Sequence, residues 1–323
     1  VHQHLAGDEA QGGIARRGHA VVLTGLVLTQ GPASGGAPAG MWLTGDTHVH
    51  TDHSSDGSAP RQLLEQQGPG DTPVGWQIAA AERRGLDFLP ITDHRTYEQQ
   101  WDPQWTSGRL VLIPGEEANG SPHANVLGAV DQTADGANPP GSAAYRHLQQ
   151  SIWDVHAQDA VWQTNHPDGG ELNDDGTLNA NASAVGVDQV EIFNTGNPEP
   201  KLDYAENRWN AGFRFGAVAA SDSHFSEIDA IAGPGLPATR VFATGRSERA
   251  VLDAFKAGRT TVFRGTPESP SVTLDADLDG DGTFETLGGD ERRAAAGATV
   301  PLRVHVTDGA GSTVYVYRSP GRS

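Results

Sequence analysis

The chain has no cysteine, only two lysines (Lys201 and Lys256) and no run of 18 apolar residues. Each shortage excludes something. Without cysteine there is no disulfide and no thiolate metal site, so any metal centre has to be assembled from imidazoles and carboxylates. The same absence is compatible with export, and a secreted or periplasmic location is slightly favoured over a cytoplasmic one. Without a long apolar run, nothing reads as a helix that spans a membrane. With 22 Lys and Arg against 41 Asp and Glu, the formal net charge is −19. That balance argues against nucleic acid and anionic membranes as partners, because both need clustered cations. Acidity of this kind mainly keeps a protein soluble, and its functional part is local, where Asp and Glu act as ligands.

What is present points to a loop-rich α/β protein. The 323 residues accommodate one large domain and a smaller appendage. The hydrophobic fraction is 36%, with 41 Gly and 20 Pro, which indicates many loops. Apolar runs at Val21–Leu28, Leu86–Ile91, Leu110–Pro114 and Ala217–Ala220 still supply a core. Residues 1–40 read as a lead-in and linker, in which His2, His4 and His19 are surface histidines. The chain begins at Val1, as expected of a processed or shortened form. From 41 to 265, short apolar strands alternate with helical patterns. Strands are predicted at Met41–Leu43, Leu86–Ile91, Arg109–Ile113, Val161–Thr164, Gln189–Phe193, Phe215–Ala220 and Thr260–Phe263. Helices are predicted at Trp76–Arg84, Ala143–Gln158, Tyr204–Ala211 and Glu248–Ala257. Alternation of this kind predicts a parallel β/α architecture. Residues 266–323 change to period-two strands without helices and predict a small β-rich C-terminal domain.

Ligand-type residues recur just past the predicted strand ends, where β/α folds bind their ligands. Met41–Leu43 leads into Asp46-Thr47-His48-Val49-His50, and on an extended chain His48 and His50 lie on one side. Ser54-Ser55-Asp56-Gly57 follows as a turn carrying a carboxylate. Later strands run into Thr92-Asp93-His94, Gly115-Glu116-Glu117, His123, Asn165-His166-Pro167 and Ser221-Asp222-Ser223-His224. Any one of these is an ordinary polar loop residue. The set, falling after successive strands, predicts a multinuclear metal site.

This ordered set resembles the PHP superfamily, named for polymerase and histidinol phosphatase, over roughly residues 45–263. Finer features resemble the branch that includes carbaryl hydrolase: His123-Ala-Asn-Val-Leu-Gly128, Glu191-Ile-Phe-Asn194, and a helix bearing Trp209 with Gly212 before Ser221-Asp-Ser-His224. The resemblance implies a distorted (β/α)7 barrel holding two or three divalent ions, Zn, Mn or Fe. Carried over by motif, His48, His50, Glu117 and Asp222 hold a first ion. Glu117 bridges to a second, completed by His123 and His166, and Asp56, His94 and His224 hold a third. Glu116 is the alternative bridge; the family pattern Gly-x-Glu favours Glu117.

Closely spaced cations lower the pKa of water toward about 7, which makes hydroxide available at neutral pH and leaves no need for a Ser nucleophile. The implied activity is hydrolysis of a small-molecule ester, a phosphoester first and a carboxylic or carbamic ester as the alternative. A non-catalytic metal-binding surface protein is the competing class. Asp93, Arg95 and His53 are candidates for supporting catalysis: Arg95 suits an anionic substrate and Asp93 suits the orientation of a ligand such as His94. Asn194 is a candidate lining residue, and Trp101 and Trp105 for an apolar rim over the metals. Asp277, Asp279 and Asp281 open like a calcium loop, but the twelfth position is Gly288 rather than Glu, and Glu285 comes three residues early. That stretch reads either as a calcium site of another loop type or as an acidic turn.

Overall fold

The computed structural model describes residues 2–4, 27–30, 39–54, 72–118, 123–131, 147–167, 183–194, 199–224, 233–263, 269–295, 297–311 and 313–317. Its strands are β1 (His2–His4), β2 (Val27–Gln30), β3 (Met41–Gly45), β4 (Phe88–Ile91), β5 (Val111–Ala118), β6 (Ala124–Leu127), β7 (Val161–Thr164), β8 (Gln189–Phe193), β9 (Gly216–Ala219), β10 (Ala238–Ala243), β11 (Thr260–Phe263), β12 (Ser271–Ala276), β13 (Glu291–Ala294), β14 (Leu302–Thr307) and β15 (Tyr315–Tyr317). The helices are α1 (Val74–Arg83), α2 (His147–Ala157), α3 (Glu199–Asn210) and α4 (Glu248–Lys256). No helix among the described residues is long and apolar enough to cross a membrane.

Nine strands form one sheet in the order β11-β10-β3-β4-β5-β6-β7-β8-β9. Seven of them run one way, and β6 and β10 run against them. The sheet curls until its edges meet, giving a nearly closed α/β barrel. At the seam Thr239 of β10 exchanges hydrogen bonds with the backbone of Ala219 in β9 (2.7 Å each way). Beyond the strand ends Val49 bridges Ser223 in parallel, with His50 N donating to Ser223 O at 2.8 Å. The all-parallel β/α expectation therefore holds for seven strands and misses two. Neither β6 nor β10 is among the strands predicted from the sequence, and nothing in their spacing sets strand direction. Only four α-helices serve the sheet among the described residues.

Helix ends are set by local chemistry. Both α1 and α4 close in a Schellman motif. In α1 Gly85 (φ 74°) donates to Glu82 O and Leu86 to Ala81 O; in α4 Gly258 (φ 66°) donates to Phe255 O and Arg259 to Ala254 O. Each glycine takes the left-handed turn that returns the chain to the next strand. Helix α4 starts at Ser247, whose side chain accepts from Ala250 N. Its buried face, Ala250, Val251, Leu252, Ala254 and Phe255, packs on Leu43, Phe88, Ile113, Leu127, Val161, Val218 and Val241, one residue from each of seven strands. Gln189, the first residue of β8, donates to Phe255 O. Helix α4 thus plugs the end of the barrel where the parallel strands begin and leaves their carboxyl ends for the site.

The C-terminal segment pairs β12 with β14, and it also takes up N-terminal strands, pairing β13 with β2 and β15 with β1. It is fastened to the barrel by Thr261 Oγ1 donating to Val272 O (2.9 Å), by Arg259 against Asp290 (2.8 Å), and by close backbone contact of Gly258 with Gly289.

Candidate metal centre

Six of the seven expected ligand groups converge at the carboxyl ends of the parallel strands. Glu117 is their hub. It lies on β5 itself, which runs on to Ala118, so the carboxylate belongs to the strand rather than to a loop past its end. One oxygen, Oε2, lies 3.3 Å from His48 Nε2, 3.2 Å from His50 Nε2 and 3.1 Å from His94 Nδ1. The other, Oε1, lies 3.2 Å from His123 Nδ1 and 3.5 Å from His166 Nε2. Glu116, the alternative bridge, pairs with Val126 in the ladder, and strand alternation turns it to the opposite face.

Asp222 is the second carboxylate. Its Oδ1 lies 3.3 Å from His48 Nε2 and 3.2 Å from His50 Nε2, and Oδ2 lies 3.9 Å from His166 Nε2. His224 stacks on His50 with ring centroids 4.1 Å apart. Asp222 is in the left-handed region (φ 54°), so Asp222 and His224, although two apart like His48 and His50, converge through a turn and not through strand alternation. His166 (φ 25°) and Arg95 (φ 55°) are left-handed too. Non-glycine residues there are uncommon and cluster at functional sites, where the surroundings hold them in place.

Four groups of donors are close enough to share an ion: His50, His94 and His224; His48, His50 and Glu117; His48, His166 and Asp222; and Glu117, His123 and His166. Within each, the ligand atoms lie within 4.8 Å of one another. Two donors about 2.1 Å from one tetrahedral ion stand roughly 3.4 Å apart, close to the spacings around Glu117. The donor set of imidazoles and carboxylates, His48 and His50 wholly buried, suits a divalent transition metal. Asp56, expected beside His94 and His224, lies outside the described residues.

Charge in the cluster is mutually compensated. Burial works against a charged His48, yet the fields of Asp222, Glu117 and Glu191 raise its pKa well above the imidazole value. His50 is likewise opposed by burial and raised to about 9 by its bonds to Asp222 and Glu117. Burial would push Glu117 and Asp222 up, but the neighbouring histidines hold both carboxylates below their ordinary range. Metal entering such a cluster takes the place of protons on the imidazoles.

The supporting layer differs from expectation. Asp93, expected to orient a ligand such as His94, accepts from Thr51 N (2.6 Å) and Thr51 Oγ1 (2.7 Å), which pins the turn after the ligand His50. Burial raises its pKa. His53 pairs with Asp102 at 3.2 Å. Arg95 is exposed, and its backbone N donates to Glu117 O (3.0 Å). Trp101 is 67% exposed near Tyr97, whereas Trp105 packs against the apolar cluster that includes Val49 and Val74. Asn194 Nδ2 lies 3.1 Å from Glu191 Oε1 and 3.4 Å from Asp222 Oδ2.

Several organising residues escaped the sequence reading. Asp46, wholly buried, accepts from His48 N, Ser221 N and Gly235 N, and burial raises its pKa to about 6. Asn165 donates to Glu117 Oε1 (2.9 Å) and to Asn125 Oδ1 (2.8 Å), while Asn125 donates to Thr47 O. Ser54, by contrast, was read from the sequence as a turn residue supporting the ligands, and its Oγ contacts His50 Nδ1 at 3.1 Å and accepts from His94 N. Glu191 stands within a fully buried strand, and a carboxylate between Val190 and Ile192 was the signal available. Away from this centre, Asp277, Asp279, Asp281 and Glu285 form a separate acidic group, in which Glu285 also accepts from Leu278 N (3.0 Å).

No family model matches the sequence, and no curated protein does. Among solved structures, the chain is similar to a two-domain protein from Bacteroides vulgatus described as containing a predicted PHP-like metal-dependent phosphoesterase. That match has 16% identity and a TM-score of 0.47, and covers 87% of this chain and 90% of that one. The chain is also similar to PsfC from Pseudomonas syringae, with 16% identity and a TM-score of 0.45 over 70% of this chain and 93% of that one. Likeness at this level carries no residue-to-residue equivalence, and the assignment of the site rests on the side chains described above.

Proposed function

We propose that the protein is a metal-dependent hydrolase of the PHP superfamily that acts on a small-molecule ester, with a phosphoester as the substrate class. The observation that carries the reading is Glu117, whose two oxygens face separate groups of histidines and so can serve two ions at once. The donors present fit divalent Zn, Mn or Fe. Of the overlapping donor groups, His48, His166 and Asp222 would hold one ion, Glu117 with His123 a second, and His50, His94 and His224 a third. When bound, such ions lower the pKa of water and offset charge developing on the reacting oxygen. The chain's own contribution is placement. Asp46 ties the end of β3 to the turn after β9, Thr51 and Asp93 fix the segment between His50 and His53, and Asn165 orients Glu117.

A second reading, hydrolysis of a carboxylic or carbamic ester, is favoured by the scarcity of cations. Phosphate recognition uses several. Lys256 sits on α4, at the opposite end of the barrel, and donates to Asp159 O at 2.7 Å.

The test is metal analysis of the purified protein together with hydrolysis of p-nitrophenyl phosphate mono- and diesters, p-nitrophenyl acetate and an aryl carbamate, with the His48→Ala variant in parallel. Bound divalent metal and a phosphoesterase activity abolished by His48→Ala are expected. Activity confined to the acetate or carbamate selects the second reading. Bound metal with no activity sensitive to His48→Ala selects a non-catalytic metal-binding protein, and absence of bound metal overturns the reading altogether.

A further inference from the structure

Glu191 lies on β8, in the wall of the barrel behind the ligands, and is fully buried. Its Oε1 is 3.5 Å from His48 Nδ1, the ring nitrogen facing away from the other ligands. His48 Nδ1 is buried and has no hydrogen-bond partner among the described residues, and the separation is longer than a good hydrogen bond. Glu191 Oε2 accepts from the backbone N of His166 at 2.6 Å, the residue held at φ 25°. Asn194 Nδ2 reaches both Glu191 Oε1 (3.1 Å) and Asp222 Oδ2 (3.4 Å). One carboxylate is therefore connected to His48 through its ring, to His166 through its backbone and to Asp222 through an amide. These three are the members of one donor group.

We propose that Glu191 is the positioning residue of the His48–His166–Asp222 subsite. It acts through those ligands and does not touch the ion. A carboxylate at Nδ1 selects the tautomer that carries its proton there and leaves the Nε2 lone pair for the metal. The 3.5 Å gap is of the size that a small rotation of the ring toward an ion closes. The bond to His166 N holds a left-handed turn that an imidazole-bearing residue would otherwise leave. Glu191 thus serves one subsite, while His50, His94 and His224 are oriented from the other side by Ser54 and the backbone of Asp222. This inference rests on the metal-centre reading above.

The test uses the full chain, stripped with chelator and titrated with Co2+, reading bound cobalt per chain and the visible absorption bands. Glu191→Gln keeps the shape and the capacity to accept one bond. It is expected to weaken one cobalt site by about tenfold to hundredfold, and to alter its band, while the remaining cobalt binds as in the parent. In the His48→Ala background the same change is expected to cost distinctly less, since one of its routes is already cut. A purely structural residue would lower the melting temperature of the metal-free protein without changing affinity or band in the folded fraction. Cobalt affinity and bands identical to the parent's, or an equal effect in both backgrounds, overturn the proposal. Should Glu191→Gln fail to fold, Asn194→Ala carries the test, with weakened cobalt binding at one site expected and unchanged binding overturning it. A parent that binds no cobalt overturns the metal-centre reading itself; a parent that binds cobalt beside an unaffected Glu191→Gln overturns only the role of Glu191.

Discussion

At the scale of residues, the site is organised around a carboxylate whose two oxygens are used differently. Removing the charge of Glu117 but not its shape leaves five histidines facing a neutral amide. For Glu117→Gln, mass-spectrometric metal analysis is expected to show loss of bound metal, and hydrolysis of the responsive ester to fall by more than about 100-fold, beyond the range of a supporting residue. Which residues were legible follows from what makes a pattern local. His48 and His50 could be paired because side chains two apart on an extended segment share a side. Glu117 could be preferred over Glu116 only by motif until the ladder with β6 turned one inward and the other out. Asp93 was legible as an important carboxylate but not in its partner, because Thr51 lies 42 residues away and meets it only when β3 and β4 pair.

At the scale of elements, helix ends are the most local features and were the best anticipated. The helix predicted at Trp76–Arg84 is stopped by Gly85 through a Schellman closure. The start of α4 depends on the Ser247 side chain. Ser247→Ala is expected to destabilise the protein by about 1 kcal/mol in urea unfolding followed by circular dichroism. Helix α2 is tied to the loop before β8 by His156 Nε2 and Asp188 Oδ2 at 2.9 Å. The bond to Asp188 raises the pKa of His156 above the ordinary imidazole value. The folded state therefore holds that proton more tightly than the unfolded chain. The resulting stability is fully present below the unfolded pKa and is lost as pH rises through the raised folded value. His156 is 37% exposed, so solvent screening keeps the contribution to no more than about 0.5 kcal/mol. Urea unfolding of the parent and of His156→Gln is expected to differ more near pH 5.5 than near pH 8.5, and a difference independent of pH counts against the pair. Within the barrel the strands β6 and β10 were missed, since four to six residues without a marked period give a weak strand signal.

At the scale of the whole molecule, one end of the barrel is filled by α4 and the other by the ligands, so apolar packing and metal chemistry are separated along the barrel axis. The C-terminal segment is held against the first end where Gly258 and Gly289 meet. Gly289 has φ 95°, and a Cβ there would stand 1.8 Å from Gly258 O. Gly289→Ala is expected to cost more than about 1 kcal/mol, because alanine neither adopts that backbone easily nor fits the contact. Calorimetry with limited proteolysis checks it, the expected result being a lower melting temperature and earlier cleavage after β11. The strand partners of β13 and β15 lie near the other end of the chain, in β2 and β1, and no local pattern announces pairing across such a distance.

The sequence by itself determined that imidazoles and carboxylates follow successive strands, that no thiol competes with them, and that the fold mixes strands with helices. Those properties are local or compositional, and a linear chain displays them directly. Only the tertiary structure decided which oxygen of Glu117 serves which histidines, that Glu191 stands behind His48, and that two strands of the barrel run backwards. Each of these depends on contacts between residues far apart in the chain, and a contact of that kind exists only once the sheet has closed.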